Sequence, residues 1–161
     1  MGRWTRWALG LSCVAALGSA FRLYWISPEI VAVHYTSPGT PDAWGSPMEL
    51  LVLFGCMIAF STAISLVIPV LVRRSPAWMI NIPNKEYWLA PEHRGAASAK
   101  LAQWADLFGT VFNVLMIPLL LMPADMAPTM GVAILFLGMN TFFIGTLIWL
   151  WRSFRLPAST R

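Results

Sequence analysis

Four long apolar runs separated by polar stretches set the pattern of this chain. The runs cover residues 7–26, 48–72, 105–122 and 131–151. An α-helix needs about 20 apolar residues to cross a hydrocarbon core of about 30 Å, and each run approaches or reaches that length. The pattern therefore predicts an all-α fold, an integral membrane four-helix bundle that forms one domain over residues 1–161.

The composition supports a membrane protein. Hydrophobic residues make up 58% of the chain and charged residues 11%, whereas an average soluble domain is about 25% charged. A soluble domain of this size could not bury so much apolar surface. The lipid bilayer is therefore the predicted principal partner.

The first apolar run has two interpretations. Gly18-Ser19-Ala20 offers the small residues of a signal-peptide cleavage site. However, apolar and aromatic residues continue from Phe21 to Trp25 and resemble an interfacial aromatic belt, which favours an uncleaved helix. Small residues also recur along this helix at three- and four-residue spacing, which allows helices to approach closely. We expect packing within the chain, with a helix from another chain as the alternative.

Basic residues predict the orientation of the four spans. If both termini are cytoplasmic, all of the 11 basic residues except Arg22 lie inside. The inner set is Arg3, Arg6, Arg73, Arg74, Lys85, Arg94, Lys100, Arg152, Arg155 and Arg161. Cytoplasmic loops carry an excess of Lys and Arg, so residues 27–47 form the predicted outer, extracytoplasmic loop and residues 73–104 the inner loop. Because these charges lie at segment ends and form no basic face, nucleic-acid binding is not predicted.

The outer loop has the pattern of an ordered segment. Val31, Val33 and Tyr35 alternate with Ala32 and His34, a period of two that predicts an extended strand. Proline and glycine come next and favour a turn. A loop of this length with local order is typical of a functional segment. It either contacts a ligand or caps the bundle.

The outer loop also holds the candidate ligand-binding residues, which are His34, Tyr35, Gly39, Pro41, Asp42 and Trp44. His34 with Glu29, Asp42 and Glu49 supplies the donor types that divalent metals accept. Such a site needs three or four convergent ligands, and nothing in the spacing makes these side chains converge. A histidine that forms a hydrogen bond within a compact loop is the alternative. We predict no metal and no cofactor.

Two stretches resemble a known family. The segment from Ser27 to Tyr35, followed by Gly39, Pro41-Asp42 and Trp44, resembles the loop after the first helix in a widespread bacterial membrane family of unknown function. That family shares a His/Gly-x-Pro-Asp motif and includes the immunity protein against the sporulation-delaying toxin. The segment from Ile80 to Glu92 is similar to the stretch after the second helix in a subset of the family. The resemblance implies a multi-pass protein of the immunity or sensor type in the bacterial plasma (inner) membrane.

The inner loop supplies a second set of candidates, an anchor or partner contact made of Asn81, Pro83, Asn84, Lys85, Tyr87 and Trp88. In one interpretation the amides and the lysine bind a lipid phosphate or an acidic group of a partner. In the other, the aromatic residues form an interfacial belt around a turn. The segment that begins at Pro91 is expected to run along the membrane interface before it enters the third span.

Polar residues within the spans are expected to face inward, because an unpaired amide in hydrocarbon is costly. They are Thr110, Asn113, Asn140, Thr141 and Thr146. Asp106 is expected at the interface without a partner. No charged residue would then lie deep in the hydrocarbon, which argues against an ion-coupled transporter or a proton relay.

Neither a nucleophile–base pair, a glycine-rich phosphate loop nor a metal-spaced cluster appears in the sequence, so no enzymatic activity is predicted. The leading hypothesis is a non-enzymatic immunity or sensor protein whose outer loop contacts a ligand. The alternative is an accessory subunit of a larger membrane complex, with its helix faces as the contacts. A membrane-protein partner or a homo-oligomer is compatible with both.

Overall fold

The computed structural model describes residues 2–36, 40–121 and 132–156. The long helices are α1 (Gly2–Ile26), α2 (Pro47–Arg74), α4 (Pro91–Leu121) and α5 (Val132–Ser153). Between them lie the strands β1 (Val31–Thr36) and β2 (Thr40–Gly45), a 3₁₀ turn (Ala77–Met79) and the one-turn helix α3 (Lys85–Trp88). Four of the described helices are long and apolar enough to cross a membrane. The prediction of a mostly helical chain is therefore confirmed, and its four long apolar helices are compatible with a multi-pass membrane protein.

Three predicted features differ from the structure or fall outside its described part. The outer loop contains a two-stranded hairpin, which adds a small sheet to the predicted all-α fold. The interfacial segment and the third span form one continuous helix, α4, so the expected separate segment before residue 105 is wrong. The turn at residues 37–39 and the predicted span ends at residues 122 and 131 lie outside the described residues.

Helices α1, α2 and α4 form the core, and buried polar side chains fix their register. The Asn113 Oδ1 of α4 accepts a hydrogen bond from Ser61 Oγ of α2 at 2.9 Å, and its Nδ2 donates to Ser12 Oγ of α1 at 3.4 Å. Asn113 is fully buried, as predicted. Thr5 of α1 contacts Asp106 of α4, so α1 and α4 run in the same direction. Interhelical hydrogen bonds in membranes contribute about 0.6 kcal/mol each, enough to select one register.

A glycine marks the closest approach within this core. A Cβ atom on Gly109 of α4 would lie 2.7 Å from Leu9 Cδ1 and 3.0 Å from the backbone oxygen of Ser61. Ser12 and Ala16 of α1 are buried as well. Ser12 and Ala16 therefore serve packing within the chain, as expected, whereas Ala15 of the same small-residue series is exposed.

Helix α5 lies outside this core and packs mainly against α4. Thr146 is buried and accepts a hydrogen bond from Trp104 Nε1 at 3.0 Å. Asn140 and Thr141, in contrast, are exposed. Among the described residues, their side chains bond only to carbonyls of their own helix, at Phe136 and Leu137. The expectation that both face inward is wrong, because the core covers only one side of α5.

Candidate functional site

The outer hairpin brings His34 and Asp42 together. The strands are antiparallel, and the pairs Ala32–Trp44 and Tyr35–Pro41 set a register in which position 34 stands opposite position 42. A local irregularity shifts the backbone pairing of His34 to Ala43. Side chains directly opposite on one face of a sheet are neighbours. The His34 Nδ1 and Asp42 Oδ1 atoms are 2.6 Å apart.

The two faces of the hairpin divide the six predicted ligand-binding residues. His34, Asp42 and Trp44 belong to the exposed face, together with Thr36 and Thr40. Tyr35 and Pro41 alternate with them and lie on the half-buried face. Gly39 lies outside the described residues. We call His34, Asp42 and Trp44 the hairpin face.

The chemistry of the hairpin face depends on the histidine–carboxylate pair. A carboxylate bonded to Nδ1 fixes the imidazole tautomer and leaves the Nε2 lone pair available to a donor or a metal. Both side chains are open to water, with 68% of His34 and 41% of Asp42 accessible. Trp44 adds an exposed aromatic ring. The face can therefore accept a hydrogen bond and stack against a cationic or apolar group.

A groove lies at the base of the hairpin, where the end of α1 meets the start of α2. Its lining residues are Tyr24, Trp25, Ser27, Pro28, Glu29, Ser46, Pro47 and Met48. The groove is mostly apolar and carries one carboxylate, that of Glu29. The sequence analysis did not predict this groove, because periodicity does not show that the two ends of a loop lie close together. The one sequence signal is the capping box of Ser46 and Glu49, which marks where α2 begins.

Glu49, a candidate metal ligand, has a structural role. Its Oε1 accepts a hydrogen bond from the backbone N–H of Ser46 at 2.9 Å and lies 3.2 Å from Ser46 Oγ. This capping box satisfies donors at the start of α2. Within the described part of the chain, no group of three or more His, Cys, Asp or Glu side chains is placed to hold a metal ion.

Of the six inner-loop candidates, two form side-chain hydrogen bonds within the described chain. Asn84 Nδ2 and Trp88 Nε1 both donate to the backbone oxygen of Phe154, at 2.7 and 3.0 Å. Asn84 adopts a left-handed backbone with φ of 52°, which asparagine tolerates better than most residues. Tyr87 stacks on His93 with ring centroids 4.1 Å apart. Polar groups that were candidates for a lipid or a partner thus bind the end of α5.

The other inner candidates take no part in this contact. Asn81 is exposed, while Pro83 and Lys85 are half-buried. Lys100 of α4 instead completes it: its Nζ donates to the backbone oxygen of Ser153 and lies 3.8 Å from the centre of the Trp88 ring. A cation at a helix C-terminus is favourable because the last carbonyls carry partial negative charge. We call Asn84, Trp88 and Lys100 the α5 cap.

An ion pair that the sequence did not indicate lies between α1 and α4. Asp106 is 2% exposed, and its Oδ2 is 3.0 Å from Arg6 Nε and accepts a hydrogen bond from Thr5 Oγ1 at 3.0 Å. Its buried Oδ1 has no hydrogen-bond partner among the described residues. The expectation that Asp106 needs no partner is therefore wrong.

The ion pair lies two helical turns from Asn113. Asp106 precedes Asn113 by seven residues, or about 10 Å along α4 at ~1.5 Å per residue. Arg6, its partner, has a side chain that is 43% exposed. That no charged residue lies deep in the hydrocarbon stays a prediction.

Comparison with protein-family models, with curated proteins and with solved structures finds no match to this chain. The resemblance to the bacterial membrane family thus stays a prediction that rests on its own residues. The hairpin face is the exposed polar cluster of the described residues that is open to a ligand.

Proposed function

We propose that this chain is a non-enzymatic, multi-pass membrane protein of the immunity or sensor type, and that its hairpin face binds a ligand outside the cell. The observation that carries the proposal is the 2.6 Å contact of His34 with Asp42 on the exposed side of the hairpin. An exposed histidine–carboxylate contact contributes at most about 1 kcal/mol to stability, even as an ion pair. Packing therefore gives little reason to hold these two groups together, whereas ligand recognition does.

The proposed orientation places both termini in the cytoplasm of a bacterium and the hairpin outside its inner membrane. The distribution of basic residues supports this orientation. The 3₁₀ turn carries exposed Trp78 next to Arg73 and Arg74, which are also exposed. This combination suits a cytoplasmic surface with anionic lipids.

The orientation is tested by cysteine labelling in intact cells. In a chain with Cys13 and Cys56 replaced by alanine, Thr40→Cys should react with a membrane-impermeant maleimide. The matched control, Trp78→Cys, should react only after the cells are opened. Labelling of Trp78→Cys in intact cells, with Thr40→Cys protected, would reverse the proposed orientation.

The functional proposal is tested by complementation of a deletion strain. His34→Ala and Asp42→Ala should each abolish complementation while the protein accumulates at its normal level in the membrane. Thr40→Ala, on the same exposed face, is the matched control and should complement fully. If both hairpin variants complement as well as Thr40→Ala, the pair is structural and the proposal fails.

The accessory-subunit alternative is separated by gentle detergent extraction. A larger membrane protein that co-purifies in stoichiometric amount would support that alternative. An immunity or sensor protein should purify without such a partner and still depend on His34 for complementation.

A further inference from the structure

The outward face of α5 carries a carboxamide near the middle of the membrane. Gly138 is level with Leu115 of α4, and Thr146 is level with Trp104. Asn140 therefore lies close to the level of Asn113, which marks the centre of the three-helix core. Asn140 is exposed there, on the side of α5 that α4 does not cover.

Exposure to lipid leaves this amide incompletely bonded. A carboxamide offers two N–H donors and an oxygen with two lone pairs. One N–H of Asn140 donates to the backbone oxygen of Phe136 at 2.7 Å. Among the described residues, its Oδ1 has no hydrogen-bond partner. One donor and one acceptor thus face hydrocarbon, where unmet hydrogen bonds are costly.

The residues around Asn140 have a heptad pattern. Positions spaced alternately by four and three residues along α5 are all exposed. They are Ala133, Leu137, Asn140, Ile144, Leu147 and Trp151. A 3.5-residue repeat of this kind forms the contact seam of a left-handed helix pair, and one asparagine in the seam specifies register and partner number. We call these six residues the α5 seam.

We propose that the α5 seam is a homodimer interface, in which two copies of α5 pair about a two-fold axis along the membrane normal. Copies inserted in the same orientation place Asn140 at the same depth. The free N–H of each amide then donates to the free Oδ1 of the other. A second copy therefore provides hydrogen-bond partners for both the free N–H and the free Oδ1 of Asn140, and its own Asn140 supplies them.

The described residues of the chain leave this interface accessible. The seam points away from α4, so two copies can pair without any change in the core. At the end of the seam, the Arg155 guanidinium lies 3.6 Å from the centre of the Trp151 ring, which keeps the charge beside an aromatic residue of the membrane surface. The dimer does not depend on the function proposed for the hairpin face.

Oxidative cross-linking in native membranes tests the geometry. In the chain with Cys13 and Cys56 replaced by alanine, Leu147→Cys should form a disulfide-linked homodimer. Gly145→Cys is the matched control: it is two residues away on α5, a Cβ atom there meets no other group within 4 Å, and it lies off the seam. Equal cross-linking at both positions, no cross-linking at Leu147→Cys, or a product of another mass would overturn the proposal.

The role of the amide is tested by the monomer–dimer equilibrium in detergent. Asn140→Leu should weaken association by about 8- to 300-fold, because it removes two interhelical hydrogen bonds, each expected to contribute a factor of about 3 to 20 in membranes. Asn140→Gln should retain much of the affinity. Thr141→Val removes the neighbouring exposed polar group and should leave the affinity unchanged. An affinity of Asn140→Leu equal to that of the unmodified chain, or a monomeric unmodified chain, would refute the interface.

Discussion

At the scale of single residues, Asp106 is the only charged side chain in the buried class among the described residues. Its Oδ2 is held by Arg6 and Thr5, while Oδ1 has no partner in that part of the chain. Moving one charge out of water costs several kcal/mol in a protein. Arg6 offsets that cost only while it stays beside the carboxylate. The position of α1 against α4 is therefore coupled to this pair.

Arg6→Leu should lower the free energy of unfolding by about 3 kcal/mol, because it leaves a buried carboxylate without its cation. We expect the lower end of the usual ~3–5 kcal/mol range, since the Arg6 side chain is 43% exposed. Asp106→Asn should have a smaller effect, because the amide is neutral. The measurement is the unfolding midpoint in mixed detergent micelles.

The matched control for this pair is Arg3→Leu, an exposed cation one turn earlier on α1. The double variant Arg6→Leu with Asp106→Leu should recover most of the stability, because it removes both charges. If Arg6→Leu and Arg3→Leu have equal effects, Arg6 does not compensate the buried carboxylate.

At the scale of secondary-structure elements, the crossing of α4 with α1 and α2 depends on the absence of a side chain at Gly109. The side chain of Leu9 can move away from an added Cβ atom, whereas the backbone oxygen of Ser61 cannot. In membranes, close helix packing contributes dispersion contacts that the hydrophobic effect does not supply. A larger residue would separate the helices and also strain the bonds of Asn113, one turn away.

Gly109→Ala should therefore destabilise the protein by about 1–3 kcal/mol, the usual effect of overpacking. Gly95→Ala in the same helix is the control, because a Cβ atom there meets nothing within 4 Å. Alanine favours helix by up to ~1 kcal/mol over glycine, so Gly95→Ala should be neutral or slightly stabilising. Equal unfolding midpoints for the two variants would contradict the close approach.

Sequence patterns predict local structure in this chain but not its long-range contacts. The period-two pattern at residues 31–35 predicted the extended segment that the structure shows as β1, because strand periodicity is local. The fate of the inner candidates was not predictable, since the acceptor of Asn84 and Trp88 is Phe154, at a separation of 66 to 70 residues. Likewise, hydropathy placed Asp106 at the edge of an apolar run. Only the packing of α1 against α4 reveals that the carboxylate is buried beside Arg6.

At the scale of the whole molecule, α5 is attached along one side only, where its aromatic residues pack against α4. The α5 cap holds its C-terminal end, Trp104 bonds to Thr146, and Phe154 is fully buried in an inner apolar cluster. The opposite side of α5 faces lipid or, in the proposed dimer, a second copy. The α5 cap should therefore determine how firmly the C-terminal end of the last helix joins the core.

Asn84→Gly tests this attachment, because glycine keeps the left-handed backbone and removes only the amide. Phe154 should become more accessible, seen as faster proteolysis or hydrogen exchange around residues 150–156, with a loss of about 1 kcal/mol for the missing hydrogen bond. The control is Asn81→Gly, an exposed amide in the same segment. Unchanged exchange in Asn84→Gly would show that Trp88 and Lys100 suffice.

The ion pair between α1 and α4 has a consequence for biosynthesis. Thr5 is translated 101 residues before Asp106, whose carboxylate it binds. Arg6 is translated almost as long before Asp106, which is its counter-ion. Until α4 is synthesised, the Arg6 guanidinium lacks this counter-ion, and its long aliphatic stem can extend it toward water and the lipid headgroups. A polypeptide released before α4 emerges would retain that solitary cation. Unfinished and finished chains therefore differ in whether the Arg6 charge is paired, which is a difference that cellular quality control can recognise.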